Sequence, residues 1–244
     1  MRLDRILFRL LTFPSPPGGE GVVSSFCAGF LAGCGFDVKV DRLGNVAAKR
    51  GNGPFILLVA HLDDWGHPKK RGFRVLHGGL VVSATGSPLG GDDKCGVALA
   101  LSLACDPRRP LAVLLTVQEE SGGLGCREFV RENTEWFADV SACLVLDRRG
   151  EGDVVARIGT HILDPGGSFR RRVMEAGAAE GVPVRLVDGA FSDVLTLRLL
   201  TGLPAANISV GYHLPHTAGE YVSLPHLRRA RRWVRRVLDT ARGV

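Results

Sequence analysis

The sequence contains no unbroken apolar run of the roughly 18–20 residues that a membrane-spanning helix needs. The first eleven residues alternate charge with Leu and Ile and hold no extended apolar stretch of the secretory-signal kind. No C-x-x-C pair occurs. The cysteines (Cys27, Cys34, Cys95, Cys105, Cys126 and Cys143) stand singly in apolar or small-residue surroundings. That pattern points to reduced core thiols and a cytoplasmic setting rather than a disulfide framework. The Asn207 sequon carries no weight in such a compartment. There is no G-x-S-x-G elbow, no phosphate-binding loop of the G-x-x-x-x-G-K type and no complete G-x-G-x-x-G, so serine-hydrolase chemistry and nucleotide binding lose support. Repeats, low-complexity tracts and long linkers are also missing. A chain of 244 residues, 45% hydrophobic and 23% charged, fits a single α/β domain over residues 1–244.

The formal net charge is +6. Much of the excess lies in Arg228, Arg229, Arg231, Arg232, Arg235, Arg236 and Arg242, with Leu227, Ala230, Val234, Val237, Leu238 and Ala241 between them at helical spacing. One reading is a basic module for nucleic acid or an anionic surface. The other is the solvated outer face of an amphipathic helix. The second is expected here, without nucleic acid as partner.

Three short apolar runs end in metal- and proton-competent side chains. Phe55–Ala60 runs into His61-Leu62-Asp63, Leu111–Val117 into Gln118-Glu119-Glu120, and Ala142–Leu146 into Asp147. Unbroken apolar runs of this length read as strands buried on both faces. Ligands of open α/β sheets sit outside the carboxyl ends of their strands. His61, Asp63, Glu119, Glu120 and Asp147 should therefore meet at one sheet edge.

The remaining pattern alternates helices and strands. Helices are expected over 3–12, 20–34, 95–104, 126–132, 168–180 and 192–200, the last with Ser192 as its cap. Strands are expected over 36–41, 46–49, 73–76, 80–83, 154–158, 184–187 and 205–210. The implied architecture is a three-layer α/β/α sandwich around a central mixed, mostly parallel sheet. The loop Gly86–Lys94 and the segment Gly211–Glu220 add Asp92, Asp93, His213 and His216. A mixed His/carboxylate set suits zinc or a similar divalent ion, and two ions about 3.5–4 Å apart need a bridging carboxylate.

In chain order, His61-x-Asp63, Gly91-Asp92-Asp93-Lys94-x-Gly96, Glu119-Glu120, Asp147 and His216-x-x-x-Glu220 resemble the co-catalytic zinc exopeptidases, which include peptidase T, glutamate carboxypeptidase and the tetrahedral aminopeptidases. Asp41-x-x-Gly44-Asn45-Val46, Phe191-Ser192-Asp193 and the Pro14-Ser15-Pro16 turn extend the resemblance over nearly the whole chain. It implies two divalent ions, Zn2+ first with Co2+ or Mn2+ as alternatives. His61 and Asp147 would hold one ion, Glu120 and His216 the other, and Asp92 would bridge. Asp63 would accept the second N–H of His61 and fix its tautomer. Glu119 would be the general base that moves the proton of the attacking water to the leaving nitrogen. The Asp92–Asp93 peptide would be cis. Asp93 could replace Asp92 as the bridge, and His213 could replace His216 or touch substrate. Tyr212 is read either as an oxyanion donor or as packing, and Arg148 or Arg149 as facing the substrate pocket. His67, His77, His161 and His226 are read as surface or structural histidines.

Adjacent strand residues point to opposite faces, so Glu119 and Glu120 can share a site only if the chain bends there, as Gly122-Gly123 permits. Many relatives in this superfamily carry an inserted lid or dimerisation domain, but here Asp147 and His216 are only 69 positions apart. A bare catalytic domain is expected, with a homo-oligomer left open. The implied activity is exopeptidase action on short peptides, as an aminopeptidase or a di- or tripeptidase. An N-acyl amino acid deacylase is the same-fold alternative, and a non-catalytic basic binding protein the other.

Overall fold

Each residue of β3 (Phe55–His61) is buried, and its side chains alternate between two cores. Ile56, Leu58 and Ala60 join one apolar cluster; Phe55, Leu57 and Val59 join the other. A strand reads as one continuous apolar run when helices cover both sheet faces. The computed structural model describes residues 2–66, 72–106 and 110–240.

In chain order the other elements are α1 (Leu3–Leu10), α2 (Gly21–Gly33), β1 (Asp37–Val40), β2 (Val46–Arg50), β4 (Phe73–Leu76), β5 (Leu80–Ser83), α3 (Gly91–Ala104), β6 (Leu111–Thr116), α4 (Leu124–Glu132), β7 (Val140–Arg148), β8 (Asp153–Ile158), β9 (His161–Ile162), α5 (Ser168–Ala179), β10 (Arg185–Gly189), α6 (Asp193–Thr201), β11 (Ala205–Ser209), β12 (Tyr212–His213), β13 (Tyr221–Ser223) and α7 (Leu224–Thr240). Among the described residues the main sheet runs β1-β2-β6-β3-β7-β11-β8-β10, with β9 on β8. Its central strands β6, β3, β7 and β11 are parallel. The margins β1-β2, β2-β6 and β11-β8 are antiparallel. α1, α2, α3, α5 and α7 pack on one face, and α4 and α6 on the other. The expected three-layer α/β/α sandwich is the observed architecture.

Parallel strands place the ends of β3, β6 and β7 side by side. His61 stands opposite Thr116 in the register of β3 and β6, and β7 runs on through Asp147. A second antiparallel sheet, β12-β13-β5-β4, flanks this edge. Its β4–β5 hairpin matches the sequence pattern. β9, β12 and β13 have two or three residues each and leave no periodic trace.

Regular helix in α3 begins after Asp92 and Asp93, whose backbone is non-helical, and the peptide between them is cis. α7 starts at Leu224, earlier than the apolar spacing indicates. Its Arg228, Arg229 and Arg232 pair with Asp4, Glu151 and Glu180, which makes that part of the basic stripe an intramolecular seam as well as a solvated face. Arg242 and His67 lie outside the described residues. Ser192 precedes α6 but makes no side-chain cap. Its hydroxyl instead accepts a hydrogen bond from Asn207 Nδ2 at 3.2 Å.

α3 is buried throughout and lies tightly against β7 at Gly96, where a Cβ would sit 2.2 Å from the Leu146 carbonyl oxygen. Gly96→Ala is therefore expected to cost about 1–3 kcal/mol or more. Gly29→Ala, in the exposed interior of α2 with nothing within 4 Å of the added carbon, should stabilise by about 0.5–1 kcal/mol. Paired denaturant melts test both; a harmless Gly96→Ala would contradict this packing.

Candidate metal centre

His61 closes β3 with its ring buried, and Asp63 follows two residues on. His61 Nδ1 faces the Asp63 carbonyl oxygen at 3.0 Å and the Asp63 carboxylate at 3.3 Å. Its Nε2 faces Asp92 Oδ1 (3.2 Å) and Asp147 Oδ1 (3.7 Å), and with the proton kept on Nδ1 that nitrogen would be open to a cation placed between them. Asp92 turns its other oxygen to His216 Nε2 at 3.3 Å, and His216 Nε2 lies 2.6 Å from Glu120 Oε1. The donor atoms of His61/Glu119/Glu120 lie within 4.8 Å of one another, and so do those of two further groups of three, His61/Asp92/Asp147 and Asp92/Glu120/His216. The latter two share Asp92. Asp93 does not enter any of these groups: its carboxylate accepts from the backbone N–H of His61 (3.2 Å) and of Gly96 (3.0 Å).

The bend at Glu119-Glu120 is explicit. β6 stops at Thr116, Gln118 takes a left-handed φ of 54°, and Gly122 and Gly123 donate back to the Glu119 carbonyl at 2.9 Å. Asp63 then accepts from the backbone N–H of Glu119 (3.1 Å) and Glu120 (3.0 Å). Both glutamates consequently line one cavity of about 250 Å³ with His61, Asp92, Asp147 and His216. Leu214 and His216 also adopt left-handed φ values, 51° and 64°. Backbone strain of this kind collects where surrounding structure over-determines a functional geometry.

Outer partners fix each donor. Glu220 is buried and accepts from the backbone N–H of Gly90 (2.8 Å) and Asp92 (2.9 Å). Asn207 accepts from Asp147 N (3.0 Å) and donates to Asp147 O (2.7 Å). Asp41 and Asn45 hold the root of the Glu119 turn through Val117 N and Gly125 O. Beneath the site, the buried Lys94 ammonium pairs with Asp64 and donates to Ser15 Oγ at 2.6 Å, which anchors the Pro-Ser-Pro turn. Glu220 and Asp41-x-x-Gly44-Asn45 were visible as motif members without roles. Asp64 and Asn207 had no sequence signal beyond their neighbours.

Two substrate-side expectations change. Tyr212 donates its hydroxyl to Asp147 Oδ1 at 2.9 Å, so its proton steadies a metal-ligand candidate and is not free for an oxyanion. His213 does not line the cavity. Its ring stacks on Tyr221 at 4.6 Å and meets His226 at 3.2 Å, because β12 pairs with β13 and turns it away. Arg148 and Arg149 both reach the cavity wall, but the Arg148 guanidinium is held by Asp153 at 3.1 Å.

The electrostatics call for a cation. Burial pushes the Glu119 carboxyl up to about 9; His61 opposes this, while Asp147, Asp193 and Glu120 add to it. Burial likewise lifts Asp147 to about 6. Burial works against a charged His61, but hydrogen bonds to Asp147, Asp63 and Asp92 hold its pKa well above the ordinary imidazole value. The hydrogen bond to Asp92 raises His216 to about 9 against partial burial. Imidazole nitrogens and carboxylates grouped in threes about a shared carboxylate fit a pair of divalent ions.

No family model matches the sequence. The chain is 31% identical over 134 residues to the cytosol non-specific dipeptidase of Escherichia coli K12, a match covering 48% of this chain and 28% of that protein. It is 29% identical over 142 residues to a LysW-lysine hydrolase of Deinococcus radiodurans, covering 54% and 37%. The matches thus span about a third of the length of these curated relatives. Aminopeptidase PepT of Bacillus cereus superposes with a TM-score of 0.84 at 16% identity, covering 98% of this chain and 97% of that one.

Two outcomes follow from the geometry. Asp63→Ala should weaken zinc binding about 10–100-fold, the usual cost of losing an outer partner of a ligand; isothermal titration that finds wild-type affinity would refute the role. Raised pKa values also mean that the folded, metal-free protein holds protons the unfolded chain releases. The stabilisation from His216 is complete below its ordinary 6.5 and gone above about 9, and that from Glu119 is complete below 4.5 and gone above about 9. Metal-free protein should melt lower at about pH 9 than at about pH 6, and zinc, which needs deprotonated ligands, should narrow the gap. A metal-free Tm that is flat or rises over that range would contradict this account.

In fold the chain is similar to aminopeptidase PepT, and over about half of its length its sequence is similar to a dipeptidase and a LysW-lysine hydrolase.

Proposed function

We propose that this chain is the catalytic domain of a two-metal exopeptidase that hydrolyses short peptides, without a lid inserted between its ligands. The observation that carries the reading is the sharing of Asp92 by two donor groups that open, with Glu119, into one cavity. His61 and Asp147 would hold one ion, and Glu120 and His216 the other, with Asp92 between them. The all-nitrogen-and-oxygen donor set favours Zn2+, with Co2+ or Mn2+ as substitutes. Bound there, such ions would polarise the scissile carbonyl and acidify the attacking water.

The chain's own groups supply the rest. Glu119 is not needed in either of the two groups built on Asp92; cations bound beside it would offset the burial that holds its proton, and its carboxylate would then accept the proton of the attacking water and return it to the leaving nitrogen. Its high proton affinity in the buried site suits that task. Asp63 keeps the Glu119 backbone and the His61 ring in register through one carboxylate. Tyr212 and Asn207 hold Asp147 at its side chain and backbone. The rim carries exposed apolar groups: Phe191 lines the cavity, and Trp65 packs on His216 at 5.3 Å between ring centres.

The test separates metal from chemistry. Glu119→Gln should keep metal content near wild type by elemental analysis and lose at least about 10²-fold in peptide turnover. His61→Ala and Asp92→Ala should lose metal as well as turnover. Full activity in Glu119→Gln, or wild-type protein that takes up no zinc, cobalt or manganese, would sink the reading.

A further inference from the structure

We propose that Arg149 binds a substrate carboxylate, and that the substrate carries a free α-carboxylate on the residue released beyond the scissile amide. Dipeptides and N-acyl amino acids share that chemistry. The inference rests on the two-metal hydrolase reading and adds the end from which the substrate is held.

Arg149 lies two residues beyond Asp147 at the end of β7. Arg149 is one residue past the last residue of β7, Arg148, and two residues of extended chain from Asp147 span about 6–7 Å. The platform is fixed. The Arg149 carbonyl accepts from Ser209 Oγ at 2.8 Å, Gly150 N donates to Tyr212 O at 2.7 Å, and Gly211 N to Gly150 O at 3.1 Å. Arg149 lines the same cavity as His61, Asp92 and Asp147.

Among the described residues no carboxylate neutralises it. Asp147, two positions before it, faces His61 and Tyr212, and Glu151, two positions after it, is engaged by Arg229 and His226. Asp153 is engaged by Arg148 and Arg185. An exposed guanidinium on a rigid backbone, at the wall of a cavity otherwise rich in acids, is matched by a carboxylate, which its planar fork can bind through two parallel N–H···O bonds. One residue of extended chain spans about 3.3–3.6 Å. A carboxylate one residue beyond a carbonyl seated by Asp92 and Asp147 therefore falls toward Arg149. Gly189 and Ala190 line the same cavity, and their small size leaves room for the side chain of that residue.

The experiment uses metal-loaded protein with alanyl-leucine, alanyl-leucinamide and N-acetyl-leucine. Wild type should prefer alanyl-leucine to its amide, chiefly through KM. Arg149→Ala should cut that acid-to-amide ratio roughly 10- to 100-fold, the range for a hydrogen bond to a charged group. Arg149→Lys should restore part of it, because the charge survives without the fork. Arg131→Ala, which removes a surface charge on α4, should keep the wild-type ratio. Cleavage of N-acetyl-leucine as well as alanyl-leucine would assign both substrate types; cleavage of one would assign that one. An Arg149→Ala ratio equal to wild type would overturn the proposal. If wild type cleaved none of the three, the hydrolase reading would fail, and calorimetric binding of leucine against leucinamide would judge Arg149 alone. Loss of the preference for leucine in Arg149→Ala would uphold the carboxylate contact, and an unaltered preference would reject it.

Discussion

The Asp63 carboxylate is the joint on which the site turns. It faces the His61 ring and accepts the backbone N–H groups of Glu119 and Glu120. One buried charge thereby orients the His61 ring and sets the positions of Glu119, the proposed base, and of Glu120. A carboxylate that accepts two backbone N–H bonds beside an imidazole is held below the ordinary carboxyl range, although burial opposes this. It stays an acceptor, and its partners stay oriented. Because it lies just past the end of β3, it couples the β3 edge to the turn after β6.

The same logic is repeated for each donor. Glu220 satisfies two backbone donors of the Asp92 loop, Asn207 grips the Asp147 backbone on both sides, and Tyr212 steadies its side chain. Lys94 and Asp64 form a buried pair beneath, closed by Ser15. Buried polar groups of this kind are tolerated where their hydrogen bonds are met. They come from β5-side loops, β11 and the N-terminal turn, so the cavity is assembled from most of the chain. Of the acids that face the cavity itself, Asp92, Glu120 and Asp147 have, among the described residues, only His61, His216 and Tyr212 as partners on that side. Burial raises the proton affinity of Glu119 and Asp147, a cost that a cation would relieve, and Arg149 lines the same cavity.

The core elements were legible because their signals are local. The apolar runs of β3, β6 and β7 match strands covered on both faces, and α1, α2 and α5 follow their apolar spacing to within a residue or two. Three short strands were not legible, since two or three residues carry no period. The meeting of His61, Asp92, Glu119, Glu120, Asp147 and His216 followed from their places at strand ends and from the resemblance. His213 and Tyr212 could not be assigned from sequence. Their directions depend on the pairing of β12 with β13 and on the proximity of Tyr212 to Asp147, both set by segments far apart in the chain. Ser192 looked like a helix cap because caps are a local preference; a nearer partner, Asn207, overrode it.

The sequence by itself determined the layered α/β architecture and which strand ends carry metal- and proton-competent groups, because side-chain periodicity and burial are written in neighbouring residues. Tertiary structure alone decided which oxygen faces which nitrogen, that Asp92 lies between two histidines while Asp93 turns to the backbone, and that among the described residues Arg148 is paired with a carboxylate while Arg149 is not. Those outcomes depend on distances between residues tens of positions apart, and such distances exist only after the sheet has closed its register and the buried charges have found their partners.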